Sequence, residues 1–252
     1  MRVTKTFTPV TEDRRIHVLG VPIDRVSMAD CLSRIQEFVN SGFPHLIVTA
    51  DASGIVQAQT DVELQQLYET ADLVTPDSAG VLWAAKRQGK PLSERVSGVD
   101  IVDSVCQRSS ELGWRIFFLG ASPGVAEQAA ERMRLKHPGC NIVGTRHGFF
   151  PPESDQVVAA EVTIAKPDVL FVGMGIPRQE KFIRSTQDII GARAALGVGG
   201  SFDVFSGKVK RAPRSLQRLK LEWLWRLAQN PKKIDKVMLL PRFVSLVLRT
   251  KR

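Results

Sequence analysis

Several short segments of this chain end in residues able to do chemistry. Thr49-Ala50-Asp51 and Pro76-Asp77-Ser78-Ala79-Gly80 supply hydroxyls and two carboxylates. Gly120-Ala121-Ser122-Pro123-Gly124, Arg146-His147-Gly148-Phe149-Phe150, Gly173-Met174-Gly175-Ile176-Pro177-Arg178-Gln179-Glu180 and Gly197-Val198-Gly199-Gly200-Ser201-Phe202-Asp203 supply glycines, cations and amides. A carboxylate at such a place can take a proton from a hydroxyl, or it can cap a helix; Asp77 and Asp51 are open to both readings. Thr49 either orients a substrate oxygen or simply suits a strand. His147 fits a turn, and no second histidine stands at metal-ligand spacing. The two Gly-x-Gly turns stop short of G-x-G-x-x-G, because Arg178 and Phe202 stand where the third glycine would be. They serve either as tight turns or as N–H cradles for a nucleotide diphosphate. No P-loop is present. Asp-x-Asp is also absent, its nearest approach being Asp61-Val62-Glu63. A bound diphosphate would therefore have its charge offset by Arg95, Gln179 and cations near the C-terminus, together with helix N-termini.

The elements that must position these residues are legible as apolar runs. Strands are expected at 16–23, 46–50, 72–76, 114–121, 141–145, 168–174 and 194–199, with helices at about 28–40, 53–70, 79–88, 99–111, 123–136, 154–165 and 178–190. Several strand runs are continuous rather than alternating, as in strands covered on both faces. Their alternation with helices predicts βαβ units and an α/β, Rossmann-like, largely parallel sheet. In such sheets ligands sit outside the carboxyl ends of the strands, where the segments above fall. Polar, turn-rich residues 89–98 suggest two lobes, about 1–95 and 96–204. From 205 to 252 the pattern turns helical and basic.

The chain has 252 residues, net charge +9 and 3 cysteines. Collagen-like, disordered and disulfide-scaffold classes are excluded by that composition. From residue 205 onward 14 Lys+Arg face only Glu222 and Asp235, a balance of +12 that leaves the rest at −3. The distant cysteines indicate a reducing cytoplasm. No apolar run reaches the ~20 residues a membrane helix needs. The stretch 237–248 is apolar but interrupted by Pro241 and Arg242, and suits a membrane interface. In 216–227, Leu216, Leu219, Trp223, Leu224 and Leu227 recur at helical spacing, with Trp225 and several cations beside them.

Taken in order, these segments resemble the WecG/TagA/CpsF glycosyltransferases. The resemblance rests on Thr49-Ala50-Asp51, Ala71-Asp72-Leu73-Val74-Thr75-Pro76-Asp77 with Gly80, Arg95-Val96-Ser97-Gly98, Gly120-Ala121, His147-Gly148-Phe149-Phe150, Val172 through Glu180, Gly197 through Asp203, Arg211-Ala212-Pro213 and Leu221-Glu222-Trp223-Leu224-Trp225-Arg226-Leu227. It implies an inverting, metal-independent transferase that moves an N-acetylmannosamine-type sugar from a UDP-sugar to a polyprenyl-diphosphate-linked GlcNAc. It assigns Asp77 as general base and puts Thr49 beside it in the sugar or acceptor pocket, with Asp51 near the donor where the family usually has Asn. It puts Arg95 and Gln179 against the donor sugar or diphosphate, Phe149 and Asp203 around the uridine, and Arg226 on the diphosphate as the tail folds over. Gly175 and Gly199 are the expected nucleotide-binding turns. Lys233 and Lys236 stand where the family tends to have arginine, and lysine lacks the bidentate fork.

No cofactor or metal is expected. The expected partners are the UDP-sugar, the polyprenyl acceptor and an anionic membrane surface, on the cytoplasmic inner face of the plasma membrane. Residues 205–252 are the expected membrane-targeting appendage, with self-association away from membranes through their apolar surface. Nucleic acid is not expected, although the basic tail motivates that alternative. A Rossmann-type NAD(P) oxidoreductase is the other, disfavoured by the incomplete glycine fingerprint.

Overall fold

Apolar strands need cover on both faces, and the computed structural model supplies it. It describes residues 14–213, 216, 222–229 and 234–250. The main sheet holds β3 (His45–Ala50), β4 (Leu73–Pro76), β5 (Ile116–Gly120), β6 (Ile142–Arg146), β7 (Val169–Gly173) and β8 (Ala194–Gly197). Their order is β4-β3-β8-β7-β5-β6, and every pairing is parallel. Strands from both sides of the 89–98 segment hydrogen-bond in this one sheet. The fold is the expected α/β type.

Side chains alternate between two cores along each strand. Leu46, Val48, Leu119, Leu170 and Val172 face α2 (Ala52–Ala58), α3 (Val62–Thr70), α4 (Ala79–Arg87), α7 (Asp155–Ile164) and α8 (Arg178–Ile190). Ile47, Phe118, Val169, Phe171 and Leu196 face α1 (Met28–Ser41), α5 (Gly98–Leu112), α6 (Val125–Lys136) and α9 (Ser201–Phe205). Burial on both faces explains why period-two alternation is weak in these runs.

Two expected elements are divided. Residues 16–23 form a hairpin, β1 (Arg15–Val18) and β2 (Val21–Asp24), because Leu19 and Gly20 both take positive φ in a two-residue turn. Residues 53–70 form α2 and α3, because Asp61 caps a new helix by accepting from the Leu64 N–H at 3.0 Å.

The basic segment carries α10 (Glu222–Gln229) and α11 (Ile234–Arg249). α11 runs through Pro241 and packs on α2, with Phe243 1 % and Val247 2 % exposed. A Cβ at Gly80 would lie 3.5 Å from the Phe243 ring. The last helix is thereby joined to the body's core, while Met238, Leu248, Arg242 and Arg249 face outward. No helix among the described residues is long and apolar enough to cross a membrane.

Candidate active site

The loops leaving β3 and β7 lead to helices on one face of the sheet, and those leaving β8 and β5 to helices on the other. Neighbouring loops that diverge in this way open a crevice at the carboxyl edge. Thr49 lines its floor: the side chain is buried and its Oγ1 donates to the Gly197 carbonyl at 2.9 Å, across the β3/β8 boundary.

The two aspartates separate in role. Asp51 is the N-cap of α2, where its Oδ1 accepts from the Gly54 N–H at 2.7 Å and the Ser53 hydroxyl at 2.8 Å. Asp77 is not the cap of α4. Ser78 takes that position, accepting from the Val81 and Ala52 N–H groups. Asp77 is instead held by its backbone, whose N–H donates to the Ala50 carbonyl at 3.0 Å, so that both carboxylates stand at adjoining strand ends. Of the two readings open from sequence, capping belongs to Asp51, whereas at α4 it falls to Ser78 rather than Asp77.

Gln179, at the start of α8, ties the two glycine turns together. Its Oε1 accepts from the N–H groups of Gly175 and Gly199, each at 3.0 Å, and its Nε2 donates to Glu180 Oε1 at 2.7 Å. The residue is 1 % exposed. Its carbonyl thus acts on the turns that follow β7 and β8, and those two N–H groups are satisfied within the protein. Gly197 allows this approach, since a Cβ there would fall 2.4 Å from Gln179 Nε2.

Arg95 reaches the same edge through its neighbour: Val96 N–H donates to the Pro76 carbonyl at 2.9 Å. Asp100, in the first turn of α5, accepts from the Ser97 hydroxyl and pairs with Arg211 at 2.7 Å and Arg95 at 3.9 Å. Arg211 is a cation of this edge that the sequence reading did not single out by role. Asp203 lies on α9 with Lys208 Nζ 4.0 Å away, and Lys208 also donates to the Ser122 hydroxyl.

Phe149 stands further along the edge, after β6, and is 68 % exposed. It lines an open groove with Gly148, Phe150, Pro151 and Met174. His147 has its turn role, with Nδ1 accepting from the Phe149 N–H at 3.2 Å. Beneath the groove, the guanidinium groups of Arg146 and Arg178 lie 5.1 and 5.4 Å from the Phe150 ring centre, while Arg178 pairs with Asp155. The crevice therefore offers two carboxylates and a hydroxyl at one end and cations with an exposed aromatic ring towards the other. Such a surface suits a ligand with hydroxyls, a diphosphate and a planar base.

Near the tail, Lys210 is gripped from α10. Its N–H donates to Gln229 Oε1 and its carbonyl accepts from Gln229 Nε2, each at 2.7 Å, and from Trp225 Nε1 at 2.9 Å. The side chain of Arg226 lies outside the described residues, as do Lys233 and the side chain of Lys236.

Two further residues near the edge were given no role of their own from the sequence. Glu180 is fully buried beside Gln179. Tyr68, the chain's one tyrosine, is fully buried on α3, and its hydroxyl has no hydrogen-bond partner. Burial pushes the Tyr68 phenol well above its ordinary pKa, helped by the charges of Glu180, Asp51 and Asp77. Both residues look like ordinary helix positions until helices are packed on the sheet. Among the described residues, no three His, Cys, Asp or Glu side chains are grouped to hold a metal ion.

Comparison with known proteins identifies the family. The Bacillus spizizenii N-acetylglucosaminyldiphosphoundecaprenol N-acetyl-beta-D-mannosaminyltransferase is 36 % identical over 206 residues, 82 % of this chain and 79 % of that protein. The Staphylococcus aureus (strain MRSA252) protein of the same name is 31 % identical over 240 residues, 94 % of each chain. The sequence model of the glycosyl transferase WecG/TagA/CpsF family matches residues 16–252. Neither an oxidoreductase nor a nucleic-acid-binding module fits these matches. The carboxyl-edge crevice thus belongs to an enzyme, and the chain is a member of the WecG/TagA/CpsF family of glycosyltransferases.

Proposed function

We propose that this enzyme transfers an N-acetylmannosamine-type sugar from a UDP-sugar to a polyprenyl-diphosphate-linked GlcNAc, with inversion and without a metal, in cell-wall or surface polysaccharide synthesis. The acceptor and sugar are those in the relatives' names. The observation that supports the chemistry is the place of Asp77, directly after β4 and bonded through its N–H to the end of β3, at the carboxyl edge that Thr49 also borders.

In this reading the Asp77 carboxylate takes the acceptor hydroxyl proton as that oxygen attacks the anomeric carbon. The bond from that carbon to the UDP oxygen breaks on the opposite face, and UDP leaves with the electron pair. Arg95 meets the developing diphosphate charge, with Arg226 as a further cation from the tail. Phe149 stacks on the base, Asp203 accepts from the ribose hydroxyls, and Thr49 borders the sugar. Gln179 acts through the two turns it joins. The outward cations and apolar side chains of α11 hold the enzyme on the anionic inner face of the plasma membrane, where a polyprenyl acceptor resides.

The test is mass spectrometry of products from a panel of UDP-sugars with a polyprenyl-diphosphate-GlcNAc analogue, with and without a chelator. A β-linked N-acetylhexosamine product, unchanged by chelation, is the expected result. Asp77→Asn should retain UDP binding and lose at least about 100-fold in turnover. Turnover near that of the parent enzyme would remove Asp77 as the base.

A further inference from the structure

Arg95 and Asp100 flank a stretch fixed in the crevice wall. Val96, Ser97 and Gly98 between them are buried, Val96 N–H donates to the Pro76 carbonyl at 2.9 Å, and a Cβ at Gly98 would lie 3.4 Å from Val198 Cα. The segment thus spans from the end of β4 to the turn after β8. Asp100 stands in the first turn of α5, and its carboxylate serves two arginines unequally. Oδ1 meets Arg211 Nη2 at 2.7 Å. Oδ2 accepts from the Ser97 hydroxyl and lies 3.9 Å from Arg95 Nη2, beyond hydrogen-bond distance. Arg211 is set in place by its neighbours: the backbone of Lys210 is bonded to Gln229 and Trp225 of α10, and Ala212 is buried. The Arg211 Nε is enclosed without a hydrogen-bond partner, so the pair with Asp100 is what answers its charge.

We propose that Arg211 is a positioning residue for the donor: by holding the Asp100 carboxylate, it keeps Asp100 from drawing the Arg95 guanidinium off the diphosphate. The inference rests on the reading of Arg95 as the cation that meets that diphosphate. A guanidinium forms strong, often bidentate pairs with a carboxylate, and phosphate oxygens compete for the same N–H groups. Without Arg211, Asp100 would stand beside Arg95 as an uncompensated charge. A shift of about 1 Å would then bring the two to hydrogen-bond distance. The bare carboxylate would also repel the diphosphate itself. Both effects weaken donor binding, and neither touches the proton transfer at Asp77. Because Lys210 is gripped by α10, the start of the basic segment is the part of the chain that sets this balance.

Four variants of the full-length enzyme test this, with UDP binding by calorimetry and kinetics on UDP-N-acetylmannosamine with a polyprenyl-diphosphate-GlcNAc analogue. Arg211→Gln should weaken UDP binding and raise the donor KM roughly fivefold, with kcat and the acceptor KM little changed. Asp100→Asn keeps the size of the side chain and removes its charge. Alone it should bind UDP at least as tightly as the parent. Combined with Arg211→Gln it should restore UDP affinity to within about twofold of the parent. That rescue separates competition from packing, since a second change at a merely structural contact would not repair the first. Unchanged UDP binding in Arg211→Gln, weaker binding in Asp100→Asn, or a double variant as weak as Arg211→Gln each overturns the role of Arg211. Arg95→Gln is measured beside them, and parent-like UDP binding there overturns the reading on which the inference rests.

Discussion

Gln179 joins two loops with one carboxamide, and its value lies in the groups it satisfies. Both N–H groups on its Oε1 belong to glycine turns at the crevice, and Glu180 Oε1 accepts a hydrogen bond from its Nε2. Gln179→Met keeps the length and removes all three bonds. Leaving buried polar groups without partners costs about 1–3 kcal/mol each. We expect a loss of several kcal/mol in chemical denaturation and weaker UDP binding by calorimetry, with both effects in one variant. Stability equal to that of the parent would show that water replaces the amide. At this scale sequence alone could name Asp77, Thr49 and Gln179, since Asp77 and Gln179 follow strands and Thr49 lies near the end of one. It could not tell which residue caps the helix after β4, because Asp77 and Ser78 are adjacent and either can cap. The burial of Tyr68 was invisible, since α2 comes to lie against it only in the fold.

At the scale of elements, caps decide where helices begin. The α3 cap illustrates how far this depends on charge. The Leu64 N–H holds the Asp61 carboxyl below its usual pKa, and Lys181 adds to this against an opposing effect of burial. Since the folded pKa is depressed, the stabilisation is complete above the unfolded value of about 3.9 and disappears as pH falls through the folded one. Asp61→Ala should therefore lower stability by about 1 kcal/mol near pH 7 and by much less below about pH 3. Thermal unfolding of both proteins across that range measures the gap; a gap independent of pH would assign the loss to helix propensity. The same cap explains why residues 53–70, continuous in hydrophobic pattern, are two helices. Leu19-Gly20 likewise divides an apolar run, and only the turn's paired positive φ values reveal the hairpin.

The whole molecule brings together parts far apart in sequence. Residues from 49 to 211 meet at one edge because β3 and β8 are neighbours in the sheet and α5 starts beside the β8 loop. The basic end of the chain is bound into this arrangement. Phe243 and Val247 are as buried as the strands, so removing residues 234–252 uncovers the α2 surface. At about 1.5–3 kcal/mol for each buried side chain, the truncated protein should melt roughly 10 °C lower and bind ANS. It should also lose binding to anionic liposomes. A truncation that melts like the full chain would mean that α11 contributes little to the core.

Local chemistry let the sequence determine much by itself. Continuous apolar runs require a covered parallel sheet, a strand followed by Gly or Asp places functional groups at its carboxyl edge, and 14 cations against two acids mark the basic end. Tertiary structure alone decided which polar atoms are satisfied and by what: Ser78 rather than Asp77 as cap, Gln179 across two loops, and α11 over α2. It also decided that Tyr68 is fully buried against Gly54 of α2. The physical reason is range. Propensity and periodicity act over a few neighbouring residues, whereas burial and hydrogen bonding at the crevice depend on side chains up to 148 positions apart, as between Thr49 and Gly197.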